Sequence, residues 1–408
     1  MQENEPKAAV DFIMDFAVAL NSYGAAANHI EKALKRLAMH SCHDGQFFAA
    51  PTSISADIEL KDGSHSSRLR RVKPGGIDLS KLSYTDEVGD MIMENSITYL
   101  EGRDRIQHIS TMRPTYPNWL SLLAFSLTSA SFATLLGASY REVLVAPILG
   151  FLAGCLYIFL TTQGKGHGII EATISFIVSF GAGFASHFAP QIDPKIATLS
   201  GLIVLVPGLS ITTALLELST KNLVAGTARL MGAITELLTM AFGVALGFAA
   251  VSAIFTDFNP AIIATLSKEP AQHRIVVVPF VALTFAILFQ TRYRDVPWVI
   301  LGTIFTYTCC YITVPLLGQT MGTFMAGTAL GIYGNTFSRI LRRPALITLL
   351  PGIILLVPGS IGYKSVSLLF DQKVLSSISL GFEMLIIGVA LSAGISLGRA
   401  AINPKRSY

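Results

Sequence analysis

From Trp119 onward the chain is a succession of apolar runs, each close to the length a helix needs to cross a lipid bilayer. About 20 apolar residues span the hydrocarbon core. That ruler gives ten segments, at 118–137, 142–162, 168–188, 197–217, 229–253, 274–290, 296–317, 320–338, 345–366 and 377–398. The 408-residue chain is only 14% charged, against roughly 25% in soluble proteins, and the missing charge is concentrated in this region. Residues 1–115 have the composition of an ordinary soluble domain. A net charge of +4 without a Lys/Arg stripe interleaved with aromatics gives no sign of a nucleic-acid partner. Cys42, Cys155, Cys309 and Cys310 form neither a disulfide framework nor a zinc spacing and read as packing residues, so no metal or cofactor is expected.

The short loops set the orientation. With the N-terminal domain inside, the cytoplasmic side holds Lys165, Lys221, Arg229, Arg292, Arg294, Arg339, Arg342, Arg343, Arg399, Lys405 and Arg406. The other side holds Arg141, Lys195, Lys268, Arg274, Lys364 and Lys373. Met1 to Pro6 is acidic and unlike a signal peptide, so both termini are expected in the cytoplasm. Within the N-terminal domain, residues 7–38 have helical apolar spacing broken at Tyr23-Gly24, and 47–60 alternates as an extended stretch. A Lys61-Asp62-Gly63 turn leads to a second strand over 66–73, and 78–106 is helical again.

One segment is nearly duplicated. Gly201-Leu-Ile-Val-Leu-Val-Pro207-Gly208 recurs as Gly352-Ile-Ile-Leu-Leu-Val-Pro358-Gly359. The helix after each copy carries one carboxylate, Glu236 and Glu383, and Gly247 aligns with Gly394. Each half holds five spans, an odd number, so the second half enters the membrane upside down, the inverted-repeat arrangement of secondary transporters. The expected fold is therefore a polytopic α-helical membrane protein with about ten transmembrane helices in two inverted five-helix repeats, behind a small α+β cytoplasmic domain. The boundaries fall at 1–115, 116–256 and 257–408.

A proline in a helix interior costs about 3 kcal/mol, and in lipid such a break survives where protein or a wet cavity satisfies the freed backbone. A lone Pro-Gly would read as a packing kink. The same dipeptide in both halves points instead to two half-helix N-termini that hold a carboxylate. The candidate substrate-binding residues are Pro207, Gly208, Ser210, Thr212, Pro358, Gly359 and Ser360, with Thr213 beside them. Glu171, Glu236 and Glu383 sit within spans, where a carboxylate costs about 2.5–3.5 kcal/mol, and His167 precedes Glu171 by one helical turn. Histidine titrates near neutral pH, so His167, Glu171, Glu236 and Glu383 are the candidate proton-coupling set. A bland reading places His167 at a wet interface and Glu217 at a cytoplasmic rim. Gly243/Gly247, Gly327/Gly331 and Gly394/Gly398 read as close helix contacts.

Ser22-Tyr-Gly-Ala-Ala-Ala-Asn-His-Ile-Glu-Lys32, Phe47-Phe-Ala-Ala-Pro51-Thr52, Gly166-His-Gly-Ile-Ile-Glu171-Ala-Thr173 and Val206-Pro-Gly208 resemble the threonine/serine exporter family. Asn335-Thr-Phe-Ser-Arg339, Arg343-Pro-Ala345 and Leu356-Val-Pro-Gly359 resemble its companion module, here fused in one chain. The resemblance implies export of threonine and serine across the bacterial inner membrane, driven by the proton motive force. A two-chain branch of the same family is associated with dicarboxylates such as succinate. The expected partners are thus threonine, serine or succinate, protons and the lipid bilayer; a homo-oligomer is compatible with the sequence. Two other classes stay open. His29, His40, Cys42, His43 and Asp44 lie close enough in sequence to suggest a membrane-anchored hydrolase, although no nucleophile elbow is present. Alternatively, the soluble domain could gate a passive channel.

Overall fold

The structure, a computed structural model, describes residues 5–42, 44–60, 63–73, 75–258, 274–356, 359–370 and 372–402. In the N-terminal domain, α1 (Glu5–Ser22) and α2 (Ala27–Ser41) part at Gly24, whose φ of +97° suits glycine. The stretch expected as one extended run is two strands. β1 (Asp44–Ala50) reverses at Pro51-Thr52 into β2 (Ser53–Glu59), and β3 (His65–Arg71) pairs on the far side of β2. Alternation continues across the reversal, which hides it from a periodicity reading. α3 (Leu79–Met93) is capped by the Asp78 carboxylate, and α4 (Tyr99–Thr111) opens with a Thr98/Glu101 capping box. Between them Asn95 takes a left-handed conformation, so the expected helix over 78–106 is two. Phe12, Ile13, Phe16, Leu34 and Ile54 are fully buried in the core these elements enclose.

The apolar region is helical. α5 (Asn118–Leu135), α6 (Tyr140–Thr162), α7 (His167–Phe188), α10 (Leu223–Ile254), α11 (Arg274–Leu288) and α15 (Val374–Ala401) fall on expected runs. Two runs are interrupted: one divides into α8 (Pro194–Leu202) and α9 (Gly208–Ser219), the other into α13 (Leu346–Leu356) and α14 (Gly359–Phe370). The adjacent runs 296–317 and 320–338 form α12 (Val296–Leu341), which folds back at Gly318, φ +83° and ψ 167°. Thr313 Oγ1 donates to Gly322 O at 3.2 Å and Tyr333 OH donates to Trp298 O at 2.8 Å, so the two limbs of α12 lie antiparallel. Six helical stretches among the described residues are long and apolar enough to cross a membrane, and α9 and α11 are shorter apolar helices. The chain is a mostly helical, polytopic membrane protein.

Glycines let the long helices approach closely. Gly243 and Gly247 of α10 lie against the Ala172 carbonyl and the Ser179 hydroxyl of α7, leaving no room for a Cβ. Gly394 and Gly398 of α15 meet the Phe324 and Thr328 carbonyls in the second limb of α12 in the same way. α5 packs on α11, α9 on α15 and α10 on α14, so the two halves interlock within one chain.

The N-terminal domain caps one face of this bundle. Leu79 N and Ser80 N donate to the Phe289 and Gln290 carbonyls just past α11, at 2.9 and 3.1 Å. Tyr116 N, just before α5, donates to Gln290 Oε1 at 2.9 Å. Ala225, near the start of α10, is part of the domain's apolar core, and Arg399, near the end of α15, donates to His29 Nε2 at 3.0 Å. At this one face α5 and α10 begin while α11 and α15 end.

Candidate functional site

The two interrupted helices meet at their breaks. A Cβ added to Gly359 would lie 3.0 Å from Gly208 Cα and 3.0 Å from Val206 Cγ1, so a side chain at position 359 would press on the other break. Pro207 is the N-cap of α9, and no side chain caps the helix. Pro358 lies outside the described residues, as does Val357. Around the junction is a cavity of about 230 Å³. Pro207, Gly208, Ser210, Gly359, Ser360 and Glu236 line it, Phe132, Phe285 and Phe289 form apolar walls, and Ile77 of the N-terminal domain lies at its edge. Six of the residues singled out in the sequence thus border one space. Glu236 is the sole ionisable side chain on the described wall, and no Lys, Arg or His is there.

The chemistry of this wall is directional. The first residues of α9 and α14 bring two helix N-termini to the cavity, each equivalent to roughly half a positive charge. Residues 203–206, the turn that joins α8 to Pro207, also line the cavity. The cavity can therefore accept a carboxylate at the half-helix starts and an ammonium near Glu236. Thr212 is buried one turn into α9, and its Oγ1 has no hydrogen-bond partner among the described residues. Thr213 is half-buried beside it and does not line the cavity.

Other expected residues fall elsewhere. Glu383, expected deep and symmetric with Glu236, lies on the exposed face of α15. Its neighbour Met384 turns inward and packs against Gly362 and is itself buried, which points the glutamate away from the bundle. Glu171 is 7% exposed on α7, near the Tyr157 hydroxyl of α6, and is not among the described residues that line the cavity. The His167 side chain lies outside the described residues, so its pairing with Glu171 is not defined. Of the proposed nucleophile cluster, His40 pairs with Asn95 Oδ1 at 3.1 Å and His29 faces Arg399, while Cys42 is buried; His43 lies outside the described residues. Among the described residues, His40 and His29 are thus held by separate partners.

Glu217 is not a rim charge. It is 0% exposed and accepts from Arg229 Nε at 3.0 Å, from Arg229 Nη2 at 3.1 Å and from Ala27 N at 3.1 Å. Its carboxylate therefore caps the first turn of α2 and ties the N-terminal domain to α9 and α10. Along the same seam, Asp295 is fully buried and pairs with Arg343, and Arg292 pairs with Glu87 at 2.5 Å. Burial pushes the Asp295 carboxyl up, with Arg343 acting in the opposite direction. The sequence shows Arg229, Arg292 and Arg343 only as cytoplasmic loop charges; their acidic partners at Glu217, Glu87 and Asp295 appear with the fold.

Comparison with known proteins decides the family. A family model for threonine/serine exporters matches residues 11–251, and the model described as Threonine/Serine exporter, ThrE, matches residues 274–401. The chain belongs to the threonine/serine exporter family. Its relatives include the yeast pheromone-regulated membrane protein 10 of Pichia sorbitophila, 27% identical over 87% of this chain and 36% of that protein. The proteins of the same name from Kluyveromyces lactis and Saccharomyces cerevisiae are 25% and 24% identical, each over 96% of this chain and over 43% and 54% of their own lengths. The chain thus spans about a third to a half of the length of these curated relatives. No solved structure matches the chain.

Proposed function

We propose that the chain is a proton-coupled exporter of small zwitterionic amino acids, threonine and serine, and that the substrate sits where the two interrupted helices meet. The observation that carries this reading is the composition of that cavity: two half-helix N-termini, two serine hydroxyls and one carboxylate. Two N-termini supply roughly one positive charge in total, enough for a single substrate carboxylate, and Glu236 supplies the counter-charge for an ammonium. The same space around succinate would hold two substrate carboxylates beside Glu236 with no cation on the described wall. Size does not separate four-carbon amino acids from four-carbon dicarboxylates here, but charge does, because uncompensated buried charge is strongly disfavoured. Dicarboxylate export is therefore the second reading. The role is transport, not catalysis.

In this account Glu236 takes the proton or the ammonium, and Glu171 with His167 passes protons through α7. Glu383, on the outer face of α15, takes part in coupling only if that face meets the transport path in another state of the cycle. Five spans per half are counted as α5, α6, α7, α8/α9 and α10, then α11, the two limbs of α12, α13/α14 and α15. Supporting an inverted repeat, α5 and α10 begin at the face where α11 and α15 end. The membrane is one that bounds the cytoplasm, with the N-terminal domain and both termini inside. Arg229, Arg292, Arg343 and Arg399 lie against that domain, as the positive-inside bias requires.

The test is efflux from liposomes loaded with labelled threonine, serine or succinate under an imposed proton gradient. Threonine and serine efflux that collapses with an uncoupler is expected. Efflux of succinate alone would move the chain to the dicarboxylate reading, and efflux indifferent to the gradient would make it a channel.

A further inference from the structure

A second cavity, of about 550 Å³, lies at the seam between the N-terminal domain and the membrane helices and takes no part in the transport path described above. It is bounded by the start of α3, the connection 112–115 into α5 and the loop 292–294 before α12. Lys81, Arg113, Arg292, Arg294 and Arg343 line it against only Asp78 and Glu87. Both acids are already engaged. Asp78 accepts from Lys81 N at 2.9 Å as the cap of α3, and Glu87 pairs with Arg292 Nη1. Of the cations, Arg343 is engaged by Asp295, and Lys81 faces Asp78 and donates its Nζ to Ser110 O at 3.1 Å, which leaves Arg113 and Arg294, both exposed, as a positive excess.

Arg292 is held in a built position. Its guanidinium stacks over the Tyr84 ring at 3.6 Å, and its Nη1 is tied to Glu87. Its Nε and Nη2 are shielded from solvent and have no acceptor among the described residues. Those same two atoms of Arg229 grip both oxygens of Glu217, the two-pronged geometry with which arginine recognises carboxylates and phosphates. Buried donors of this kind call for an acceptor. Asp295 Oδ2 is likewise unpartnered nearby, but a direct pairing with it would leave the excess of Arg113 and Arg294 unchanged. Tyr116 and Tyr293 stack edge-on at 5.0 Å beside it and Trp119, three residues on, is 61% exposed, residue types enriched at a bilayer–water boundary.

We propose that this cavity binds a phosphate group at the membrane interface, with Arg292, Arg113, Arg294 and Lys81 as its cationic walls. A phospholipid headgroup of the adjoining leaflet or free phosphate can supply that chemistry. Bound there, the anion joins α3 of the N-terminal domain to the loop before α12. The inference does not depend on which metabolite the chain carries.

The test uses the purified full chain, stripped of lipid in detergent. Short-chain phosphatidylglycerol, short-chain phosphatidylcholine and inorganic phosphate are titrated while thermal unfolding and bound lipid are followed, the latter by native mass spectrometry. The comparison protein is the double variant R113Q/R294Q, whose changes are on exposed side chains. Phosphatidylglycerol is expected to bind and stabilise the wild type, and the variant to bind it roughly thirtyfold more weakly, the factor two juxtamembrane cations contribute. Stabilisation by phosphatidylglycerol but not by phosphate assigns the site to lipid; stabilisation by phosphate as well assigns it to a soluble anion. No response to any of the three, or equal responses in wild type and variant, overturns the proposal.

Discussion

Glu217 and Arg229 should be unequal partners, and the inequality can be worked from their surroundings. Glu217 is 0% exposed, whereas the Arg229 side chain is 26% exposed. Removing one partner of a buried ion pair costs about 3–5 kcal/mol, because the other charge is left without compensation. Arg229→Gln strands a fully buried carboxylate whose one remaining donor is Ala27 N, so its cost should fall near the upper end, about 4–5 kcal/mol. Glu217→Gln leaves a cation that can turn toward water and keeps an oxygen for Ala27 N; its cost should be smaller, about 2–3 kcal/mol, the scale of a charged hydrogen bond. Reversible unfolding of the purified chain in detergent measures both. Hydrogen exchange at the first turn of α2 localises the effect, because Ala27 N is the amide this carboxylate caps. Equal costs, or costs below about 1 kcal/mol with α2 exchange unchanged, would refute the argument that this carboxylate fastens the two parts together.

Three further outcomes follow from the same geometry. Gly359→Ala should abolish transport while the chain still folds, because the new methyl meets Gly208 Cα and Val206 at 3.0 Å and forces the two breaks apart; overpacking of this kind costs about 1–3 kcal/mol, and measured transport with normal expression checks it. Gly318→Ala should cost about 1–3 kcal/mol, because φ +83° with ψ 167° is a region that only glycine adopts readily, and leave transport intact, since the space around it is open; a thermal melt paired with an efflux assay reads both. Glu31 has its pKa raised by burial first and by the Glu217 charge as well, with the Ala49 N–H opposing. A raised carboxyl stabilises the fold below its unfolded pKa, and that contribution is lost as pH rises through the folded value. Glu31→Gln should therefore flatten that part of the stability–pH curve and equal or exceed the wild type at neutral pH; a variant less stable than wild type at neutral pH would contradict the sign.

Much of the fold was legible because its signals are local. The apolar runs show their length directly, and the paired Pro-Gly segments show where two helices must break. The hairpin at Gly318 was legible only as a short gap between two runs. The reversal at Pro51-Thr52 was not, since a two-residue turn within alternating residues leaves the period intact. The candidate cavity was readable to the extent that its residues come from the duplicated segment. Symmetry failed as a guide at Glu383, because a one-residue difference in helix phase, about 100°, decides whether a side chain enters the bundle or leaves it. The seam was the least legible part. Glu87 finds Arg292, Asp295 finds Arg343 and Glu217 finds the Ala27 amide, each far away in the chain, and the contacts of Glu87 and Ala27 exist only once the N-terminal domain is docked.

The central claim is that the substrate occupies the space between the two interrupted helices. Single cysteines placed at Ser210 and at Ser360, in a chain whose four native cysteines are replaced, would be labelled with a small membrane-permeant thiol reagent in proteoliposomes. Threonine is expected to slow labelling at both positions with the same half-protecting concentration, and succinate to leave both rates unchanged. Protection by succinate but not threonine, or no protection at either position while threonine is still transported, would contradict the account.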